Sequence, residues 1–193
     1  MEIIAEANKL ERVSEQLYLL RSWLPKNREA PYTAEVVSFG LSIAITTTDY
    51  APNAKVFREL AVPLPLIKDT EKRKRLISIF DAQKGTIERL GPTEEYVRLM
   101  LILAHAEREI DENSCVNRFV EAYLFISYNI RDLSTKTSCL ARISSSLATV
   151  DPNKDFEQKE ALHSLVNNEL AKCVDDLLNR TADQYMVTKG IIR

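Results

Sequence analysis

Glycine is scarce in this chain, since the 193 residues include only four. Glycine supplies the backbone conformations that phosphate-binding loops and tight hairpin turns need, so its scarcity argues against a Gly-rich phosphate loop and a many-stranded sheet. Strand-like alternation of useful length is also missing. The apolar stretch 62–66 contains two prolines, which are poorly tolerated inside a sheet. These absences favour an all-α protein.

Other missing features narrow the function. The three cysteines, Cys115, Cys139 and Cys173, form no CxxC spacing, so neither a zinc ribbon nor a thioredoxin-like site is indicated, and we expect buried, reduced thiols. No apolar run reaches the roughly 18 residues of a membrane span, and the N-terminus shows no secretory signal. The net charge of −2 gives no bulk attraction to nucleic acid or anionic lipid. We therefore expect a cytoplasmic protein without a membrane partner.

Apolar residues recur at spacings of three and four, which is typical of amphipathic helices. The pattern predicts eight helices with short connections, in one domain over residues 1–193. The predicted ranges are about 4–24, 33–45, 53–62, 70–90, 93–111, 113–130, 134–149 and 156–179, the last with an extension towards residue 188. Thr33, Asn53 and Thr93 are predicted N-caps, and Gly85 marks a point where the fourth helix could kink.

Two predicted helix starts share a short pattern. Ile67-Lys68-Asp69 precedes one helix, and Ile130-Arg131-Asp132 precedes another 63 residues later. This offset is close to two repeats of about 32 residues, but a middle copy is missing, so a fixed period is only suggested. The alternative is that two helix starts share a basic residue and a capping Asp for purely local reasons.

The stretch from Phe125 to Ala148 resembles a degenerate tetratricopeptide repeat. Phe125 falls at the family's aromatic position near the start, and Ala141 and Ala148 fall at its two small positions. Asn129, Asp132 and Ser145 depart from the family pattern, and Pro152 lies one residue early. The resemblance covers about 30 of the 193 residues and implies stacked helix pairs with a concave surface for partners. We therefore predict a short α-solenoid of antiparallel helix pairs, with a closed helical bundle as the alternative.

The two histidines offer one weak metal hypothesis. His105 and Glu109 are four residues apart and share a helix face. Glu160 precedes His163 by three residues, the spacing used in dinuclear carboxylate bundles. A second Glu-x-x-His is absent, because residue 102 is Ile. A helical-bundle metal protein or enzyme that uses Glu160 and His163 is therefore an alternative, but we predict no catalytic, cofactor-binding or metal-binding residue.

The densest basic cluster lies at residues 68–75. Its cations are Lys68, Lys72, Arg73, Lys74 and Arg75. On a helix these side chains spread around most of the circumference, and Asp69 and Glu71 dilute their charge. Nucleic-acid binding usually needs a longer basic stripe with stacking aromatics. A nucleic-acid accessory protein that uses this cluster is a second alternative, although we do not expect nucleic acid to be the partner.

We predict a non-enzymatic protein-interaction or scaffold module that binds a protein partner. The prediction combines many helices with the lack of a catalytic constellation. In a stack of helix pairs, the first helix of each pair lines the groove, which makes Tyr123, Tyr128 and Arg131 candidate partner contacts. Lys72 and Arg73 are further candidates in the basic cluster. The sequence leaves the partner's identity and the oligomeric state open.

Overall fold

The computed structural model describes residues 2–47, 53–91, 93–150 and 156–188. Over these ranges the chain forms nine α-helices and two short 3₁₀ helices without a strand, which confirms the all-α class. The α-helices are α1 (Glu2–Ala7), α2 (Val13–Trp23), α3 (Thr33–Thr46), α4 (Ala54–Ala61), α5 (Thr70–Arg89), α6 (Thr93–Glu107), α7 (Glu112–Asn129), α8 (Leu133–Ala148) and α9 (Phe156–Thr188). The 3₁₀ helices are Leu24–Lys26 and Leu64–Leu66. Over the same ranges, no helix combines the length and apolarity that crossing a membrane requires.

The first predicted helix is wrong, because it is two helices. After α1, the Leu10 amide donates to the Ala7 carbonyl at 3.0 Å, which closes the helix with a tight turn. The side chain of Gln16, from α2, donates to the Leu10 carbonyl at 2.8 Å and stabilises that turn. Leu10 is half-buried, so the apolar spacing continues through the break. The spacing of apolar residues indicates which residues face the core. A turn whose apolar residue also faces the core keeps that spacing, so the spacing does not reveal the turn.

Asn and Asp side chains cap the starts of three helices. Asn53, Asp69 and Asp132 each accept a hydrogen bond from the amide three residues on, at 3.2, 3.0 and 2.7 Å. The Asn53 cap was predicted. The two Asp caps account for the shared Ile-basic-Asp pattern, because both satisfy free amides in a first helical turn. Since α5 and α8 are three helices apart, they are not corresponding members of successive helix pairs.

Two predicted caps differ from the structure, and α5 does not break at Gly85. Thr33 is the first residue of α3 rather than its cap, and its hydroxyl donates to the Asn27 carbonyl at 2.7 Å. Thr93 is likewise the first residue of α6. Gly85 lies inside α5, which runs without interruption. A glycine inside a helix costs only about 1 kcal/mol relative to alanine.

The pattern of contacts divides the chain into two compact units, Met1–Arg118 and Phe119–Arg193. We call them the N-terminal and C-terminal units, and each is described by itself. The prediction of one domain over residues 1–193 stays a prediction.

In the N-terminal unit, helices that are two apart in the chain pack together. Contacts join α2 to α4, α4 to α6 and α3 to α5, in addition to contacts between neighbouring helices. Gly40 lies where α3 meets α4, and a Cβ at this position would lie 2.7 Å from Cδ2 of Leu60. The missing side chain therefore permits a close approach of the two helices. These contacts are of the kind that stacked helix pairs make, and the solenoid arrangement stays a prediction.

The C-terminal unit is built on the last residues of α7 and on α8 and α9. Its fully buried side chains include Phe119, Ile126, Leu140, Ile143, Leu147 and Val166. The helix α9 has 33 residues and therefore a length of about 50 Å, whereas α8 has 16 residues. Because α8 is about half as long, it cannot cover the whole of α9, and the described side chains of α9 beyond Leu177 are exposed.

Candidate interaction surfaces

The exposed face of α7 carries two apolar side chains in the C-terminal unit. Tyr128 is 80 % exposed and Leu124 is 43 % exposed. They are four residues apart, so they stand one turn from each other on the same side of the helix. Arg131, just after the end of α7, is also exposed. Of the three residues predicted to line a groove here, Tyr128 and Arg131 therefore lie on the surface.

Tyr123, the third predicted contact, is an internal residue. Its ring is 8 % exposed, and its hydroxyl donates to Oε2 of Glu169 at 2.5 Å. Burial, followed by the hydrogen bond to Glu169, raises the pKa of Tyr123. The side chain therefore fastens α7 to α9 and is not offered to a partner.

Glu169 joins three helices behind this surface. Besides the Tyr123 hydroxyl, it accepts from Nζ of Lys136 on α8 at 2.5 Å and from the Ser127 hydroxyl on α7 at 3.3 Å. Burial opposes ionisation of Glu169, but the hydrogen bonds from Lys136 and Tyr123 outweigh it and lower its pKa. One turn later on α9, burial raises the pKa of the Cys173 thiol. The exposed face of α7 is thus supported by a satisfied polar network.

Arg73 is not accessible to a partner in this structure. It is 3 % exposed, and its guanidinium donates to the Pro65 carbonyl and to Glu109, both at 3.3 Å. The sequence prediction counted Arg73 among the surface contacts, because helical spacing distributes the basic cluster around α5 and does not show which of its side chains faces inward. Its position on the inner side of the helix gives it a structural role instead.

Lys72 lies on the surface but already has an anionic partner. Its Nζ donates to Oε1 of Glu35 at 2.6 Å. This hydrogen bond raises the pKa of Lys72 and lowers that of Glu35. Lys74 similarly pairs with Glu71 at 3.1 Å. Internal pairing therefore neutralises much of the basic cluster, and the arrangement gives no support to a nucleic-acid role.

An ion-pair cluster that sequence reasoning missed lies in the N-terminal unit, with Arg118 and Glu107 buried and Asp81 exposed. The Arg118 guanidinium contacts both carboxylate oxygens of Asp81 at 2.7 Å and those of Glu107 at 2.5 and 2.7 Å. Burial alone would lower the pKa of Arg118, but the hydrogen bonds to Asp81 and Glu107 raise it overall. Three helices contribute one residue each, and no short sequence motif encodes such a cluster.

The histidines acquire no metal partners in the part of the chain that the structure describes. No group of three His, Cys, Asp or Glu side chains there has the geometry to hold a metal ion. Glu109 pairs with Arg73, and Glu160 is exposed. Burial, followed by the charge of Arg108, lowers the pKa of His105. The alternative of a metal protein based on Glu160 and His163 therefore gains no support.

His163 does approach a serine, because Nε2 lies 3.3 Å from the Ser144 hydroxyl. That hydroxyl donates its proton to Oδ1 of Asn167 at 2.7 Å. Its oxygen is therefore left to accept a hydrogen bond from the imidazole. A nucleophilic serine needs the opposite arrangement, in which the imidazole accepts the hydroxyl proton. The contact joins α8 to α9, and this arrangement gives no support to a nucleophilic serine.

A small cleft opens in the N-terminal unit, between residues 28–34 before and within α3 and residues 66–72 before and within α5. Its volume is about 250 Å³. Its apolar lining consists of Ala30, Pro31, Ala34, Leu66 and Ile67, and its charged lining consists of Arg28, Glu29, Lys68, Asp69 and Lys72. The two segments are nearly forty residues apart in the chain, so sequence reasoning did not bring them together.

A scan against protein-family models, a search of curated proteins and a search of solved structures each found no match. None of these comparisons tests the resemblance of residues 125–148 to a tetratricopeptide repeat. Phe125 is half-buried, but Ala141 and Ala148, at the predicted small positions, are exposed. Small residues at those positions are expected to permit close helix packing. The repeat relationship stays a prediction.

Proposed function

We propose that this chain is a non-enzymatic protein-interaction module of the cytoplasm, and that the exposed face of α7 binds its protein partner. The observation that carries the proposal is the exposure of Tyr128, at 80 %, beside the exposed Leu124. Contiguous exposed apolar groups are typical of interaction sites, whereas isolated ones are ordinary. The three buried free cysteines accord with a reducing compartment.

Tyr128 is well suited to anchor a partner. A tyrosine combines a large apolar ring with a hydroxyl that can hydrogen-bond at the rim of an interface, and tyrosines are enriched among the residues that dominate binding energy. The network around Glu169 fixes α7 against α8 and α9. The Tyr128 backbone is therefore held in place, which reduces the entropy lost on binding.

Tyr18 provides a matched control within the same chain. It is 69 % exposed on α2, but the neighbouring positions on its side of the helix, Ser14 and Ser22, are polar and exposed. An isolated exposed tyrosine needs no explanation. Tyr18 thus has the chemistry of Tyr128 without its apolar neighbour.

The experiment first identifies partners by affinity capture from the native source, with and without nuclease. The leading nuclease-resistant partner is then purified and its affinity for wild type, Tyr128→Ala and Tyr18→Ala is measured by calorimetry. The proposal predicts a loss of about tenfold or more for Tyr128→Ala, equivalent to about 1.4 kcal/mol, and little change for Tyr18→Ala. Equal affinity of all three proteins would refute the role of the α7 face.

A further inference from the structure

The cleft between residues 28–34 and 66–72 is lined by balanced charges of opposite sign. Each of its two walls contributes one cation and the anion that follows it in the chain. These four residues, which we call the cleft charges, are Arg28, Glu29, Lys68 and Asp69. Lys72 is a further cation of the lining, but it is paired with Glu35 at 2.6 Å. The cleft therefore favours an occupant that carries both signs and no net charge.

The four cleft charges do not pair with one another. No ion pair or side-chain hydrogen bond joins any two of them among the residues that the structure describes. Asp69 accepts the Lys72 amide as the N-cap of α5 and keeps its negative charge. A simple anion or cation would meet one attractive and one repulsive sign in this cleft. A molecule with an ammonium and a carboxylate group can instead contact both signs.

Most of the remaining lining is apolar and is incompletely covered. Leu66, from the second 3₁₀ helix, is 41 % exposed, whereas the neighbouring Ile67 is buried. Pro31 and Ala34 belong to the opposite wall. A bound apolar group would remove the exposed part of Leu66 from water, which is favourable in proportion to the area buried. The occupant is therefore expected to carry an apolar group beside its two charges.

The size of the cleft restricts what it can hold. A volume of about 250 Å³ is below the range of roughly 300–1,000 Å³ that is typical of pockets for drug-sized ligands and cofactors. It suits a molecule of the size of an amino acid better than a nucleotide or a larger cofactor. The balanced charges, the apolar lining and the volume therefore agree on one class of small molecule.

We propose that this cleft binds a free α-amino acid with an apolar side chain. The two anions among the cleft charges contact its ammonium group, and the two cations contact its carboxylate. Its side chain covers the exposed part of Leu66. The terminus of a partner protein has only one of these two charged groups and is the poorer occupant. The inference goes beyond the proposed protein-interaction function and adds a small-molecule site in the N-terminal unit.

The test uses nuclear magnetic resonance of the full-length, ¹⁵N-labelled protein with L-leucine as the probe. The reporters are the backbone amides of Ala34, Ile67, Lys68 and Asp69. Leucinamide lacks the carboxylate, N-acetyl-leucine lacks the ammonium group, and glycine lacks the apolar side chain. The expected result is saturable shifts of these amides with L-leucine, and binding at least about fivefold weaker with each of the three analogues.

Two double variants separate the cleft from the net charge of the protein. The variant Arg28→Gln, Lys68→Gln removes both cations among the cleft charges. The control, Lys9→Gln with Arg75→Gln, removes two exposed cations outside the lining. Each variant loses two positive charges, so the change in net charge is the same. Only the first is expected to weaken the binding of L-leucine, by at least about fivefold, and thermal melting checks that both variants fold.

Three results would overturn the proposal. The first is the absence of saturable shifts with L-leucine. The second is an analogue that binds as tightly as L-leucine, because the cleft would then not require both charges and the side chain. The third is equal weakening in both double variants, which would mean that the net charge of the protein governs binding. Because Tyr128 lies in the C-terminal unit, each of these results leaves the Tyr128 experiment unaffected.

Discussion

The two units place their charged and apolar side chains differently. In the N-terminal unit, ion pairs cross between helices at nearly constant sequence separations of 36 to 38 residues. The pairs are Arg21–Glu59, Glu35–Lys72, Arg58–Glu95, Arg73–Glu109 and Asp81–Arg118. The C-terminal unit instead gathers its polar contacts around Glu169 and leaves more large apolar side chains exposed. Within the described ranges these are Leu124, Tyr128, Leu165, Val174, Leu178 and Val187, against Tyr18, Ile45 and Leu66 in the N-terminal unit.

The recurring separation has a structural meaning. The helices α3 and α5 begin at residues 33 and 70, so the spacing of the ion pairs approximates the spacing of corresponding helices. Each such ion pair joins a helix to the second helix after it in the chain, or to the connection just before that helix. This regularity favours the predicted stack of helix pairs within the N-terminal unit. The N-terminal unit thus pairs many of its charged side chains across its own helices, whereas the C-terminal unit has apolar surface that a partner could cover.

The largest loss of stability is expected when Arg118 is removed from the ion-pair cluster of the N-terminal unit. Arg118→Met would leave Glu107 buried without its counter-charge, and breaking a buried pair in this way costs about 3–5 kcal/mol. Urea unfolding followed by the fluorescence of Trp23, the single tryptophan, reports on this unit. The control Arg12→Met removes an exposed pair with Glu15 and should cost less than about 0.5 kcal/mol. Equal stability of both variants would show that the ion-pair cluster contributes nothing.

The second prediction breaks the polar network of the C-terminal unit. Tyr123→Phe removes a hydrogen bond to an ionised carboxylate and should destabilise this unit by about 1–2 kcal/mol. Thiol labelling of Cys139 and Cys173, both buried, followed by mass spectrometry, reports its opening. Labelling should accelerate at these two positions in Tyr123→Phe and stay unchanged in Tyr128→Phe. Unchanged labelling in Tyr123→Phe would contradict the structural role of Tyr123.

The third prediction concerns pH. The pKa of Glu169 is lowered in the folded protein, so its contribution to the free energy of unfolding is complete above the ordinary value of about 4.3 and is lost as the pH falls through the lower folded value. Glu169→Gln should be less stable near neutral pH and lose less stability on acidification than wild type. Urea titrations by circular dichroism at pH 6.5 and at about pH 3 measure both quantities. A parallel acid dependence of the two proteins would exclude Glu169 as a contributor.

A smaller difference in stability is expected between alanine substitutions at two glycines of the N-terminal unit. A Cβ at Gly85 meets no described atom within 4 Å, so Gly85→Ala should stabilise by about 0.5–1 kcal/mol through helix propensity. At Gly40 the same gain is opposed by the 2.7 Å approach to Leu60, so Gly40→Ala should bring no comparable gain. The Trp23 fluorescence assay compares both variants. Equal stabilisation would mean that Leu60 moves aside without cost.

The smallest change in stability is expected for a substitution on the exposed face of α7. Tyr128→Ala should change the free energy of unfolding by less than about 0.5 kcal/mol, because the ring contacts little of its own chain. Circular dichroism during urea unfolding checks this. A larger loss would mean that Tyr128 stabilises the unit, and a binding defect in this variant could then be a folding defect.

The helices were largely predictable because their apolar spacing and capping residues are local. Asn53 as a cap and the continuation of α9 towards residue 188 are examples. The break after α1 was missed because Leu10 keeps the apolar period across a turn. Leu124 could have been found as the apolar residue one turn before Tyr128. The contacts of Glu169 and Arg118 and the cleft could not have been found in this way, since each depends on segments that meet only after folding.

The proposed partner-binding surface is the face of α7 around Tyr128. The most direct test introduces the photocrosslinking residue benzoylphenylalanine at position 128 in one variant and at position 18 in another, each mixed with the purified partner. We predict a specific crosslink from position 128 that excess wild-type protein suppresses, and little or none from position 18. A crosslink from position 18 alone, or equal yields from both, would contradict the assignment of the α7 face.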